Sequence, residues 1–221
     1  MQDLSVIFLT VNNLPKSWAD FHYKNLLQSI GEAHLLTISR LPMSGHNLIQ
    51  DQQPSPANVY RQILRGAKEL QTEYIAIAED DCLYPSDHFL HRPETLAYNM
   101  HRWTVFTWGD PVFSWRDRFG NFSLVAKRQL VIDSLEERFG MYPNGTPDSM
   151  TGEIGRWRTD KQLGLTHYEP SIFWSKQAII NMSHEYGLDT RAKRHRKTLG
   201  TITANSVPYW GEAGKYQKLW I

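Results

Sequence analysis

The amino-acid sequence predicts an α/β fold in which helices flank a mostly parallel central sheet. Two apolar runs, over residues 4–11 and 74–78, have the composition of buried parallel strands. A helix-like segment lies between them, and the order strand, helix, strand favours a right-handed parallel crossover. Ligands bind beyond the carboxyl ends of the strands in such sheets, so the residues that follow these two runs are the first candidates for a site.

The elements of the first half follow from apolar spacing and from the residues that interrupt it. Asn12, Asn13 and Pro15 end the first strand, and residues 17–30 have near-helical apolar spacing before Gly31. Residues 34–39 predict a second strand, whereas residues 42–56 lack periodicity and predict a long loop. A helix from Ser55 to residue 70, with a proline in its first turn, then precedes the strand at 74–78.

The second half has shorter and less regular patterns. We expect strands over 105–108, 121–126 and 171–175, helices over 128–139 and 152–163, a Pro/Gly-rich loop over 141–150, and a short helix or strand over 176–182.

Bulk composition excludes several classes of function. The formal net charge of +1 argues against a dedicated nucleic-acid binder, although a basic cluster at residues 191–197 leaves room for local binding. The one cysteine, Cys82, allows no intramolecular disulfide and no CxxC metal or redox motif. No apolar run reaches the ~18 residues of a membrane span. We therefore expect a cytoplasmic protein that does not bind a membrane.

Three consecutive carboxylates, Glu79, Asp80 and Asp81, follow the strand at 74–78. Acidic side chains this close repel one another, and enclosing them costs desolvation, so they need a cation or hydrogen-bond donors. Hard oxygen ligands suit Mg2+ or Mn2+, which complete their coordination with water and substrate phosphates. The triplet thus predicts a diphosphate site, although an acidic surface turn would look the same in isolation.

The segment SPANVYRQILRGAKELQTEYIAIAEDDCLYP resembles the helix, strand and DxD segment of GT-A glycosyltransferases, especially the family 2-like group. This resemblance implies a three-layer, Rossmann-like GT-A fold in a single domain over residues 1–221. The first half, about residues 1–90, would bind the nucleotide sugar. The second half, about residues 91–221, would form the acceptor side and a C-terminal closing segment. It also implies transfer of a sugar from a nucleotide-diphosphate donor, with a UDP-sugar favoured and Mn2+ or Mg2+ as cofactor.

The resemblance also assigns roles to individual residues. Asp81, Glu79 and the later His184 become candidate metal ligands. The implied donor-binding residues are Asp80, Asn58, Arg61, Thr10, Asn12 and, from the basic cluster, Arg191 and Lys193. Each has an ordinary structural alternative: turn polarity for Thr10 and Asn12, a hydrogen-bonded core histidine for His184, and a solvated helix face for the basic cluster.

On the acceptor side, the order of elements implies that Glu153 is the general base, which favours an inverting reaction. Glu169 and Asp110 are alternative bases, because both lie among aromatic residues that could stack on a sugar ring. The acceptor would be a hydroxyl group, for example on a modified base in DNA. Two other interpretations stay open: a nucleotidyltransferase, although TVNNLPKSW lacks a Gly-rich loop after the first strand, and a non-catalytic nucleic-acid-binding protein.

Overall fold

The computed structural model describes residues 3–147, 150–187, 200 and 202–219. The described helices are α1 (Lys16–Ile30), α2 (Pro56–Glu69), α3 (Arg128–Met141), α4 (Trp157–Leu163) and α5 (Ala213–Leu219), with short 3-10 helices at Ser86–Leu90 and Asn121–Ser123. The strands are β1 (Leu4–Leu9), β2 (His34–Ser39), β3 (His46–Ile49), β4 (Tyr74–Glu79), β5 (Cys82–Leu83), β6 (Leu96–Asn99), β7 (Arg102–Phe106), β8 (Phe113–Trp115), β9 (Leu124–Lys127), β10 (Ser171–Phe173), β11 (Ile179–Ser183), β12 (Ile202–Ala204), β13 (Ser206–Val207) and β14 (Gly211–Glu212).

A seven-stranded, mostly parallel sheet in the order β10-β6-β9-β4-β1-β2-β3 forms the centre of the protein. Only β9 runs against its neighbours β4 and β6, so β10, β6, β4, β1, β2 and β3 all point the same way. The carboxyl ends of these six strands therefore lie along one edge of the sheet, where a ligand site is expected.

Helices cover both faces of this sheet, which makes the three layers that the sequence predicts. On one face, Ile63 of α2 and Leu135 of α3 pack with Ile7 of β1 in one apolar cluster. On the other face, Leu26 of α1 packs with Val6 of β1. Successive residues of β1 thus serve opposite layers, and this alternation of strand side chains ties both helical layers to the same strand.

A second, five-stranded sheet in the order β12-β8-β7-β11-β5 lies beside the first. Its edge strand β5 begins at Cys82, directly after the acidic triplet, and Cys82 pairs with Asn181 of β11. Residues 81–83 therefore join the carboxyl end of β4 to this second sheet. Among the described residues, no helix is both long and apolar enough to cross a membrane.

Two sequence-based predictions of local structure are wrong. The segment 42–56 is not one long loop, because His46–Ile49 forms β3 at the edge of the main sheet, where polar and exposed residues hide the strand pattern. The helix predicted over 152–163 begins only at Trp157, since Gly155 adopts a φ of +78°, outside the helical region. The basic cluster 191–197 lies outside the described residues.

Candidate functional site

The acidic triplet lies at the carboxyl edge of the main sheet, next to the end of β1. The parallel register pairs Leu9 of β1 with Glu79 of β4, so Thr10 and Asp80 leave the sheet side by side. The Thr10 hydroxyl donates a hydrogen bond to Oδ2 of Asp80 at 2.5 Å. Its oxygen also accepts a bond from the backbone N–H of Asn12 at 2.9 Å. The structure therefore brings together two residues that the sequence places 70 positions apart.

Asp81 faces His184, which follows β11 of the second sheet. Nε2 of His184 lies 3.4 Å from Oδ2 of Asp81, while Nδ1 accepts a hydrogen bond from the backbone N–H of Tyr186 at 3.1 Å. Because Nδ1 is the acceptor, Nε2 carries the proton and points it at the carboxylate. A metal-bound histidine usually donates from its second nitrogen. The arrangement thus makes His184 a hydrogen-bond donor to Asp81, and metal ligation by His184 would require the turn at Tyr186 to change.

The three carboxylates have very different environments, although they are adjacent in sequence. Burial, together with the charges of Asp81 and Asp80, raises the pKa of Glu79 well above its usual range. Burial and then the charge of Asp81 raise the pKa of Asp80 to about 7, against the hydrogen bond from Thr10. Burial also acts on Asp81, but the hydrogen bond from His184, with smaller contributions from neighbouring groups, outweighs it, and the pKa of Asp81 is lowered. Negative charge therefore concentrates on Asp81.

The sequence analysis did not predict that a buried histidine, His22, lies next to the triplet. His22 of α1 is 1% exposed, and its Nδ1 lies 2.5 Å from the carbonyl oxygen of Asp80. Since a carbonyl only accepts, Nδ1 must donate. Burial lowers the pKa of His22 to about 4, so the ring stays neutral. The four-residue spacing of Trp18, His22, Leu26 and Ile30, all buried on α1, was the signal that could have found it.

Oxygen ligands for a divalent cation are present, but a complete protein-built metal site is not. No group of three or more His, Cys, Asp or Glu side chains in the described ranges is arranged to hold a metal ion. When Mg2+ or Mn2+ binds together with a phosphate-containing substrate, the protein needs to supply only one or two carboxylates, and water and phosphate oxygens are the remaining ligands. The crowded carboxylates, two of them with raised pKa values, are the environment that a cation would stabilise. The residues therefore fit a metal held mainly by Asp81 and by the substrate.

Glu153 lies in a rigid, non-helical segment rather than at the start of a helix. The carbonyl of the preceding Gly152 accepts hydrogen bonds from the Tyr60 hydroxyl at 2.7 Å and from Nη1 of Arg138 at 3.0 Å. The carbonyl of Ile154 accepts one from the Tyr98 hydroxyl at 2.9 Å. These buried donors hold the backbone on both sides of Glu153, and so they fix the point at which its side chain leaves the chain.

The Glu153 side chain contacts two arginines and lies within electrostatic reach of the acidic triplet. Oε1 is 3.8 Å from an Nη atom of Arg118, and Oε2 is 3.5 Å from Nη1 of Arg156. The charge of Glu153 contributes to the raised pKa of Glu79, after burial and the charges of Asp81 and Asp80. Glu153 therefore lies close enough to the triplet for its charge to act on Glu79, and its role as the base stays a prediction. The sequence-based prediction missed both arginines: only folding brings Arg118 to Glu153, whereas Arg156 lies three residues after Glu153 and could have been found from that spacing.

Three of the residues assigned to donor binding have structural partners of their own. Oδ1 of Asn12 accepts from the backbone N–H groups of residues 40 and 41, and Asn12 adopts a φ of +55°. Asn58 is 5% exposed and bonds to Gln50 and Gln62. Arg61 donates to the carbonyl of Pro143 and lies over the ring of Phe139. These contacts account for the three residues without a ligand, and their role in donor binding stays a prediction.

The alternative bases lie elsewhere on the surface. Oε2 of Glu169 is 2.8 Å from Nε2 of His167, and the Glu169 side chain is 84% exposed. Asp110 is exposed in the turn between β7 and β8. Arg191 and Lys193 lie outside the described residues. Of the three acidic candidates, Glu153 is the one whose charge acts on the triplet.

Comparisons with known proteins show which solved structures share this fold. No protein-family model and no curated protein sequence matches the chain. Among solved structures, TarS residues 1–349 of S. aureus with UDP-GlcNAc aligns with a TM-score of 0.51 at 10% identity, covering 85% of this chain and 60% of that one. The 2-C-methyl-D-erythritol 4-phosphate cytidylyltransferase of Thermus thermophilus aligns with a TM-score of 0.51 at 10% identity, covering 83% and 94%.

A mannosyltransferase of Pyrobaculum calidifontis, PcManGT, solved with GDP-Man and Mn2+, aligns with a TM-score of 0.49 at 14% identity. The alignment covers 88% of this chain and 60% of that one. This chain therefore spans about three fifths of the length of the two glycosyltransferase chains. At such identities the likeness shows the fold alone. The predicted fold class is confirmed: the chain has a three-layer α/β fold of the kind shared by GT-A glycosyltransferases and related nucleotidyltransferases.

Proposed function

We propose that this protein is a metal-dependent glycosyltransferase that moves a sugar from a nucleotide-diphosphate donor, with a UDP-sugar favoured, to a hydroxyl acceptor. The observation that carries the proposal is the position of Glu153. Buried donors hold the backbone on both sides of Glu153, and the charge of its carboxylate acts on Glu79, at the sheet edge where Asp80 and Asp81 lie. In this proposal Glu153 serves the metal and diphosphate position from the acceptor side, in one domain that spans both halves of the chain.

Donor binding would divide between the ends of β1 and β4. Asp80, held by Thr10, would accept a hydrogen bond from the ribose or from a metal-bound water. Asp81, which His184 keeps charged, would hold Mn2+ or Mg2+ together with the diphosphate oxygens. The metal would neutralise the charge that develops on the leaving diphosphate. Glu79, with its raised pKa, would support the site rather than bind the metal.

In the proposed transfer step, Glu153 acts as the general base on the acceptor side. The acceptor oxygen attacks the anomeric carbon, a new C–O bond forms, and the bond between that carbon and the diphosphate oxygen breaks. The nucleoside diphosphate leaves with the electron pair, and Glu153 takes the proton of the acceptor hydroxyl. Attack on the face opposite the diphosphate inverts the anomeric centre. Arg118 and Arg156 hold the carboxylate in place for this role.

The released product tests the reaction type, since donor turnover to water often accompanies transfer. The protein is incubated with Mn2+ and with UDP-, GDP-, CMP- and dTDP-sugars in turn, and products are separated by anion-exchange chromatography. Release of a nucleoside diphosphate from a UDP-, GDP- or dTDP-sugar, lost in Asp81→Asn and kept in the exposed control Asp133→Asn, is the expected result, whereas a CMP-sugar would release CMP. Turnover that is equal in Asp81→Asn and wild type would contradict the proposed site.

A nucleotidyltransferase is the second candidate, because the aligned cytidylyltransferase shares the fold over 94% of its own chain. That reaction uses a nucleoside triphosphate and a phosphorylated acceptor, and it releases pyrophosphate. The same assay with CTP, UTP and a coupled pyrophosphatase separates the two reactions. Pyrophosphate release without any nucleoside diphosphate from the sugar donors would favour this second function.

A further inference from the structure

Two arginines approach the carboxylate of Glu153 from different segments of the chain. Oε1 of Glu153 lies 3.8 Å from Nη2 of Arg118, and Oε2 lies 3.5 Å from Nη1 of Arg156. The side chain of Glu153 is 9% exposed, whereas those of Arg118 and Arg156 are 58% and 43% exposed. The two guanidinium groups therefore link a nearly buried carboxylate to the surface of the protein.

The buried side chain of Tyr98 anchors both segments that carry these arginines. Its ring stacks on that of Phe119, the residue after Arg118, at a centroid distance of 4.4 Å and an angle of 9°. Its hydroxyl donates a hydrogen bond to the carbonyl of Ile154 at 2.9 Å, and Arg156 follows two residues later. Because Tyr98 is 0% exposed, neither segment can shift without disturbing the core. Both arginines thus leave the backbone at fixed points.

The guanidinium groups carry more charge and more donors than Glu153 can satisfy. Each group has five N–H donors, and within the described ranges the only side-chain hydrogen bond or ion pair of either arginine is with Glu153. Both distances are longer than the about 2.8 Å of a close charged hydrogen bond. The neighbouring Arg116 and Asp117 cancel in formal charge, so Arg118, Arg156 and Glu153 leave one net positive charge. A further anion would balance this charge and use the remaining donors.

We infer that Arg118 and Arg156 bind an anionic group of the acceptor, a phosphate or a carboxylate, beside the hydroxyl that Glu153 deprotonates. The inference rests on the proposed transfer reaction, which places the acceptor hydroxyl at Glu153, and it names the chemical class of the acceptor. A phosphate or carboxylate has enough oxygens to accept from both guanidinium groups at once. The donor diphosphate has its own partner in the metal position at Asp81. A neutral acceptor would leave the excess charge unbalanced and would bind more weakly.

Side-chain Nε–H signals in two-dimensional NMR of 15N-arginine-labelled protein provide the test. Glucose 6-phosphate, glucuronate and glucose are titrated separately, and loss of a signal in Arg118→Gln or Arg156→Gln assigns the two arginines. We expect both anionic probes to shift both signals at concentrations at which glucose shifts neither. The anionic probe that binds more tightly shows whether the acceptor group is a phosphate or a carboxylate.

Variants link the binding to the named residues. Arg118→Gln and Arg156→Gln should each weaken the anionic probes about 10-fold to 100-fold, the usual effect of removing a charged hydrogen-bond partner. The control Arg65→Gln should bind them like wild type, because the exposed Arg65 contacts the carbonyl of Ile49 at the β3 edge of the main sheet, away from β6. Glu153→Gln should strengthen the anionic probes at least ~3-fold, because it removes a like charge beside the anion.

Arginines that only support Glu153 would give a different set of results. Equal affinity for glucose and its phosphate, unchanged anion binding in both Arg118→Gln and Arg156→Gln, or no gain in Glu153→Gln would overturn the inference.

Donor binding keeps this test separate from the test of the proposed function. Nucleotide-sugar affinity, measured by calorimetry with Mn2+, should be the same in wild type, Arg118→Gln and Arg156→Gln. Weaker anionic probes with intact donor binding support the acceptor site, whereas an equal loss of donor affinity would assign the arginines to the donor and overturn the inference. If no donor binds wild type, the proposed transfer reaction fails, whatever the anionic probes do.

Discussion

The buried histidine His88 should make the protein lose stability as the pH falls below the usual histidine pKa. This residue is 0% exposed, and its Nδ1 lies 3.3 Å from Nδ2 of Asn99, which donates to it. Its ring stacks with that of Phe173 at a centroid distance of 5.8 Å. Burial lowers the pKa of His88 from 6.5 to about 3. The unfolded chain therefore binds a proton between these pH values that the folded protein does not bind.

The size of the effect follows from linkage between proton binding and folding. At pH 7.5 the imidazole is almost entirely neutral in both states, so it changes stability little. At pH 5 the solution is about 1.5 pH units below the pKa of the unfolded histidine, while the folded one is still neutral. The difference costs about 2 kcal/mol, since each pH unit is worth about 1.4 kcal/mol. The sign is a loss of stability on acidification, which ends only near the folded pKa.

Urea unfolding at pH 7.5 and pH 5.0 measures this contribution when wild type is compared with His88→Gln. The glutamine keeps an acceptor for Asn99 and removes the titrating group, so its stability should fall by about 2 kcal/mol less than wild type over this pH interval. The exposed control His34→Gln should follow wild type. Parallel losses in His88→Gln and wild type, or an NMR titration of His88 near its usual pKa, would refute the reasoning.

Two further predictions concern the segment that carries Glu153. Glu153→Gln should lower kcat about 10^2-fold to 10^4-fold, the usual contribution of a general base, and should leave donor affinity unchanged. Steady-state kinetics measure kcat and donor titrations measure the affinity; an unchanged kcat would show that Glu153 is not the base. Gly155→Ala should destabilise the protein by roughly 2 kcal/mol in urea unfolding, because its φ is +78° and the added Cβ would lie 2.5 Å from the carbonyl oxygen of Tyr168. Gly140→Ala, which meets nothing within 4 Å, is the matched control, and an equal effect of both changes would contradict the steric argument.

Local patterns predicted the elements that place the acidic triplet. The strands at 34–39 and 74–78 and the helices that begin near residues 17 and 56 all form within about two residues of the predicted bounds. These segments have long apolar runs or strong caps, such as Ser55, whose hydroxyl accepts from the backbone N–H of Asn58. Where the preference is strong and local, sequence determines structure directly.

The errors arose where distant residues decide the local conformation. β3 forms because Leu48 pairs with Ile38 of β2, although His46 and Asn47 weaken the strand pattern. The segment before α4 is not helical because hydroxyl groups of Tyr60 and Tyr98 bind its carbonyls. None of these partners is a close neighbour in the sequence. Apolar periodicity does not record such contacts.

The same distinction between local patterns and distant contacts holds for the residues of the candidate site. The triplet could be proposed from the sequence because three carboxylates follow a buried strand, and Glu153 could be proposed from the resemblance in the order of elements; the roles of both stay predictions. The partners that set their properties could not, since His22 and Arg118 reach the site only through folding. His22 carried a weak signal in its spacing on α1.

The most direct test of the central claim is calorimetric binding of nucleotide sugars to wild type, Asp81→Asn and Asp133→Asn, each with and without Mn2+. Asp133 is exposed on α3 and serves as a matched control. We expect one donor to bind wild type and Asp133→Asn only when Mn2+ is present, and to lose at least ~10-fold in affinity in Asp81→Asn. Donor binding that needs no metal, or that survives Asp81→Asn unchanged, would contradict a metal and diphosphate site at Asp81.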